Sequence, residues 1–125
     1  SMMLVEFLEG DVKPADLARS QINMLEARKA TDPMVQSQVL VNDGSGEIIL
    51  DFLMSGRDAA GQQILEWNGY RYLAGKSKRR RPGGWLLGIS RRAYGDADIE
   101  RFLGDLRTQK DADIKRLAAL PLPFR

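Results

Sequence analysis

The stretch from Glu47 to Tyr94 holds most of the β-forming residues, and it constrains the fold more than any other part of the chain. Three apolar runs in it predict β-strands: EIILDFLMS, QQILEWNGYRYLAG and GGWLLGISRRAY. In the first run, apolar side chains fall on both alternating faces, as Leu50 and Leu53 show. A strand that is apolar on both faces is typical of the centre of a sheet.

The second run allows two interpretations. Asn68-Gly69 is a strong signal for a two-residue turn, which would divide the run into a small hairpin. Alternatively, residues 62–75 form one long strand with a bend at Gly69. We predict one strand, because the arms of the hairpin would be very short.

Helical patterns flank this stretch. The pattern of residues 14–30 predicts one helix, which begins at Pro14. A second helix is predicted to begin near Asp96 and to end before Pro121. Residues 2–9 fit a strand or a helical turn, and residues 34–41 fit a strand that leads into a DGSG turn. The chain is therefore predicted to be one α+β domain over residues 2–125. Its antiparallel sheet would have about four to five strands, with two helices packed on one face.

That arrangement also predicts the core. The last helix carries Phe102, Leu103 and Leu106 at helical spacing. If both helices cover the same face of the sheet, these side chains meet Phe52 of the central strand.

The residue types present exclude several kinds of chemistry. The sequence has no histidine and no cysteine, which rules out Ser-His-Asp and cysteine catalysis and histidine or thiolate metal sites. Two carboxylates, Asp51 and Glu66, are expected to be partly buried, and Arg71 or Arg91 is the expected partner. We therefore expect no catalytic residues, no metal and no cofactor.

A single run of positive charge is the strongest functional signal. Basic side chains crowd the segment KSKRRRPGG between the last two predicted strands, namely Lys76, Lys78, Arg79, Arg80 and Arg81. Such a run predicts an exposed, mobile loop that attracts polyanions. The candidate binding surface adds Tyr72, Trp85, Arg91 and Arg92, because single-strand nucleic-acid binders combine aromatic side chains with a positive groove. Trp85 also fits ordinary core packing.

The strings ILEWNGYRY and GISRRAYGD, with LPLP after the last helix, resemble an uncharacterised group of bacterial exported proteins. The resemblance covers residues 40–123 and implies a PsbP-like α+β fold. It also implies a leader peptide before residue 2 and a periplasmic or exported location. A cytoplasmic location is the alternative.

These observations favour a non-enzymatic binding or accessory domain of the bacterial cell envelope. Its partner would be an acidic protein or an anionic membrane surface. The alternative function is a nucleic-acid-binding domain that uses the basic hairpin at residues 76–92. A monomer and a homodimer both fit the sequence.

Overall fold

The elements follow one another along the chain in the predicted order. The computed structural model describes residues 2–122. The elements are β1 (Met2–Glu9), α1 (Pro14–Lys29), β2 (Gln36–Val41), β3 (Ile48–Arg57), β4 (Gln63–Lys76), β5 (Pro82–Tyr94) and α2 (Asp96–Ala119). The α+β class is therefore confirmed, and residues 2–9 form a strand.

The five strands form one antiparallel sheet in the order β1-β5-β4-β3-β2. Strand β4 is continuous and pairs along its length with β3 and β5. Asn68 and Gly69 lie in its middle, where Asn68 is opposite Phe52 on one side and Ser90 on the other. The prediction of one strand is confirmed, because two neighbouring strands hold the Asn-Gly pair in extended conformation.

The placement of both helices on one face is wrong. Helix α1 contributes Ala18 and Leu25 to a core cluster with Leu50 of β3. Helix α2 contributes Leu117 to a separate cluster with Leu53, also from β3. Successive residues of a strand point to opposite faces, so Leu50 and Leu53 place the helices on opposite sides of the sheet.

The same correction applies to the predicted core. Phe52 packs in the α1 layer, whereas Phe102 and Leu106 pack in the α2 layer. Leu103 is 42% exposed. The physical reason is that β3, β4 and β5 are apolar on both faces, and one helical layer cannot cover both.

Residues 2–122 contain no helix that is long and apolar enough to cross a bilayer.

Candidate functional site

The basic loop, residues 76–81, is a tight turn at the tip of the β4–β5 hairpin. The Ser77 amide donates to the Arg81 carbonyl at 2.9 Å, and the Arg80 amide donates to the Ser77 carbonyl at 2.8 Å. The Ser77 hydroxyl accepts from the Arg81 amide at 3.2 Å. Hydrogen bonds between Ser77 and the Arg80 and Arg81 backbone therefore close the loop into a defined turn.

Most of the charge on the basic loop has no local partner. Arg81 forms a salt bridge with Glu9 at 3.1 Å, and both side chains are largely exposed. Lys76, Lys78, Arg79 and Arg80 are also exposed, and they take part in none of the ion pairs found within residues 2–122. The predicted exposure is confirmed, and four cations at the hairpin tip face solvent.

Arg80 has a φ of 61°, the only non-glycine residue within the described chain with a positive φ. This left-handed conformation costs about 1–2 kcal/mol, because it brings the Cβ atom too close to the following carbonyl oxygen. We expect Arg80→Gly to raise the free energy of unfolding by about 1 kcal/mol after allowing for the greater freedom of glycine in the unfolded chain. Urea denaturation would measure the change. Arg79→Gly removes the same charge without relieving a positive φ, so it should not stabilise the protein.

The two aromatic residues assigned to this surface are buried in the core. Trp85 is 5% exposed, packs against Phe7 at a ring distance of 4.8 Å, and donates its Nε1–H to the Lys76 carbonyl. Tyr72 is buried on the other face, in the α1 layer. Trp85 therefore packs in the core. Neither Trp85 nor Tyr72 offers an exposed ring next to the basic loop on which a base could stack.

Arg91 and Arg92 lie far from the basic loop. Strand β5 runs from Pro82 to Tyr94, so these arginines are about 30 Å from the hairpin tip at roughly 3.3 Å per residue. Arg91 donates to Asp113 of α2, and Arg92 pairs with Glu66 of β4. Both arginines have carboxylate partners and do not extend the basic surface.

The expected partners of the buried carboxylates are wrong. Glu66 pairs with Arg92, its cross-strand neighbour. Asp51 is 4% exposed, accepts from the Trp67 Nε1–H at 3.3 Å, and lies 3.8 Å from the Lys110 ammonium. Lys110 belongs to α2, and only the three-dimensional packing brings it to β3.

Arg71 instead joins the β2–β3 hairpin to the end of α2. It pairs with Glu47 and donates to the Leu120 carbonyl at 2.7 Å and the Leu117 carbonyl at 3.3 Å. The last carbonyls of a helix have no partner within the helix. The guanidinium therefore acts as a C-terminal cap for α2.

A cleft between β2 and α2 is the feature that the sequence did not predict. Its inner cavity has a volume of about 130 Å³ and is lined by Asp51, Trp67 and Lys110, with Gln36 and Gln38 of β2. The outer part, about 490 Å³, shares Lys110 and both glutamines and adds Arg107 and Asp111. The Asp51 Oδ2 atom is buried and has no hydrogen-bond partner within the described residues. Sequence alone offers no local signal for this meeting of residues that are far apart in the chain.

Two tyrosines of the α1 layer have perturbed acidities. Burial, the neighbouring Tyr70 and the charge of Glu6 raise the pKa of Tyr72 well above its ordinary value. Burial and the charges of Glu66 and Glu6 raise the pKa of Tyr70. The two rings make an edge contact at 6.1 Å. Both phenols therefore stay protonated at neutral pH.

This perturbation predicts a loss of stability in alkali. Tyrosines of the unfolded chain ionise near pH 10, whereas the folded state keeps Tyr72 protonated to higher pH. The stabilising contribution is thus complete below about pH 10 and declines as the pH rises above it. We expect the urea midpoint of Tyr72→Phe to fall less steeply than that of the wild type between about pH 9 and 11. A Tyr72→Phe midpoint that falls as steeply as that of the wild type over this range would contradict the prediction.

The described residues contain no group of three or more histidine, cysteine, aspartate or glutamate side chains that could hold a metal ion.

No curated protein and no solved structure matches the chain significantly. A protein-family model, in contrast, matches residues 1–122, which is nearly the whole chain. The chain therefore belongs to that family of uncharacterised proteins.

Proposed function

We propose that this protein is a non-enzymatic binding or accessory module of the bacterial cell envelope, and that its basic loop binds an anionic membrane surface. The observation that carries the proposal is the group of four exposed cations at the hairpin tip, Lys76, Lys78, Arg79 and Arg80, which have no carboxylate partner within the described residues. Elsewhere on the sheet, Arg71, Arg91 and Arg92 are each neutralised by a carboxylate.

The support beneath the loop suits a docking element. Strands β4 and β5 pair up to Lys76 and Pro82, so the loop projects from a hydrogen-bonded hairpin. Each Lys or Arg close to an anionic bilayer contributes about 1 kcal/mol to binding. Four such residues on one turn give an attraction that depends on salt and on the anionic lipid content.

The envelope location rests on the resemblance to exported bacterial proteins, and a PsbP-like arrangement is part of the same proposal. The antiparallel sheet between two helical layers is compatible with it. Nucleic-acid binding has less support, since Tyr72 and Trp85 would have to leave the core to stack on bases.

Vesicle sedimentation tests the proposal. We expect the protein to sediment with phosphatidylcholine vesicles that contain about one-third phosphatidylglycerol, and to remain in solution with pure phosphatidylcholine. The variant with Lys76, Lys78, Arg79 and Arg80 replaced by glutamine should lose this binding. A matched variant with four exposed cations outside the loop replaced by glutamine has the same net charge and should keep it: Arg28, Arg57, Arg107 and Lys115.

Three results would contradict the proposal. Vesicle binding that is equal in the two charge variants would show a general charge effect. A failure of the wild-type protein to bind anionic vesicles at low salt would remove the membrane surface as a partner. Binding of an oligonucleotide that persists at physiological salt and depends on the basic loop would favour the nucleic-acid function, because attraction to phosphates alone weakens steeply with salt.

A further inference from the structure

The floor of the β2–α2 cleft carries a buried charge that the fold leaves incompletely satisfied. Asp51 is 4% exposed, and only its Oδ1 atom has partners, the Trp67 indole and the Lys110 ammonium. The Oδ2 atom is buried without a donor within residues 2–122. Buried carboxylate oxygens normally accept a hydrogen bond, so a donor that the fold itself does not supply, such as an ordered water or a ligand, would complete the Asp51 carboxylate.

The inner cavity is large enough for a small molecule. Its volume of about 130 Å³ equals roughly four water molecules at about 30 Å³ each. The walls combine apolar surface from Leu53 and Leu106 with the amides of Gln36 and Gln38. Apolar walls with a few polar groups that fix orientation are typical of sites for small ligands.

The charges are arranged by depth. The carboxylate of Asp51 lies on the inner wall, whereas Arg107 and Asp111 line only the outer part of the cleft. Lys110 borders both parts. A ligand that enters the cleft thus meets the Asp51 carboxylate at the floor and, on the α2 side, two cations, Lys110 and Arg107, and one anion, Asp111.

From this arrangement we propose that the β2–α2 cleft binds a free α-amino acid. The ligand's ammonium group would donate to Asp51 Oδ2, and its carboxylate would lie against Lys110 and Arg107. Its side chain would contact Leu53 and Leu106. A zwitterion suits this site because it supplies the missing donor without adding net charge, whereas a simple amine would offer Lys110 and Arg107 no anion to contact. The site is separate from the basic loop, so this proposal does not depend on membrane binding.

Thermal denaturation with each of the twenty common L-amino acids at about 10 mM is the first experiment, since a ligand that binds the folded state raises the midpoint. We expect at least one small or apolar amino acid to stabilise the protein, while ethylamine and acetate do not. Calorimetric titration of that amino acid should show binding weakened by about tenfold or more in Asp51→Asn and in Lys110→Gln, the loss of one charged hydrogen bond. Lys115→Gln, an exposed change on the same helix, is the matched control.

The position of the ligand can be read from the indole resonances, because the chain has two tryptophans. Binding should move the Trp67 Nε1–H peak and leave the Trp85 peak in place. The proposal fails if no amino acid shifts the midpoint, if Lys110→Gln binds as the wild type does, or if only the Trp85 peak moves. Equal binding of ethylamine would indicate a simple cation site. Equal binding of an N-acetyl amino-acid amide would indicate a peptide along the β2 edge, and either result overturns the proposal.

Discussion

Replacing Trp67 with alanine is expected to lower the free energy of unfolding by about 3–5 kcal/mol. Trp67 is the largest of the fully buried side chains within the described chain and is 1% exposed. It lies in the α2 layer with Leu65 and Leu117. Truncation to alanine removes apolar burial and leaves a cavity that a sheet bonded on both sides of β4 cannot close.

Urea denaturation followed by circular dichroism would measure this change, because the variant lacks one of the two tryptophans and its fluorescence cannot be compared directly with that of the wild type. Trp67→Phe is the informative companion variant. It keeps most of the apolar volume but removes the N–H that Asp51 accepts, so it should cost less than Trp67→Ala. A midpoint for Trp67→Ala within error of the wild type would show that Trp67 does not hold the α2 layer together.

The sequence predicted the elements well because their signals are local. Pro14 at the start of α1, the DGSG turn and the alternating apolar strands each act within a few residues, and α1 was placed to within one residue of its observed end. The continuity of β4 across Asn68-Gly69 was also predicted correctly.

The layer arrangement could not be predicted so well because it is a global property. The apolar pattern of β3 already showed that both faces needed cover, but nothing local states which helix covers which face. The ion-pair partner of each charged residue could not be predicted for the same reason. Arg91 was available to Asp51 on the sequence, yet Arg91 pairs with Asp113 of α2.

The candidate site divides in the same way. Exposure of the basic loop follows from five cations within six residues, which must repel one another. The other four residues predicted for that surface do not belong to it: Trp85, Tyr72, Arg91 and Arg92. Their positions depend on the direction of each strand and on the face of the sheet that each side chain occupies. The β2–α2 cleft depends on contacts between residues far apart in the chain, so only the fold reveals it.

Breaking the ion pair between the half-buried Arg91 and the buried Asp113 is expected to cost about 3–5 kcal/mol, because it leaves the Asp113 carboxylate buried without its bidentate partner. Asp113 is 2% exposed and accepts from the Arg91 Nη2 atom at 3.0 Å and from its Nε atom, which makes the pair bidentate. This hydrogen bonding raises the pKa of Arg91 above its ordinary value. Arg91→Met leaves the carboxylate buried, and within residues 2–122 its remaining ion pair is the one with Arg116 at 3.7 Å.

The pair itself need not be a large net source of stability, because Asp113 loses its hydration on folding and Arg91 loses part of its own. We therefore expect Arg91→Met and Asp113→Leu each to be strongly destabilising, and the double variant to recover most of the loss. A double-mutant cycle in urea measures this coupling. Asp105→Leu, an exposed position on the same helix, is the control for the helix substitution and should change stability little. If the double variant is as unstable as the sum of the two single variants, the two side chains do not act as a pair, and α2 is held to the sheet by its apolar contacts alone.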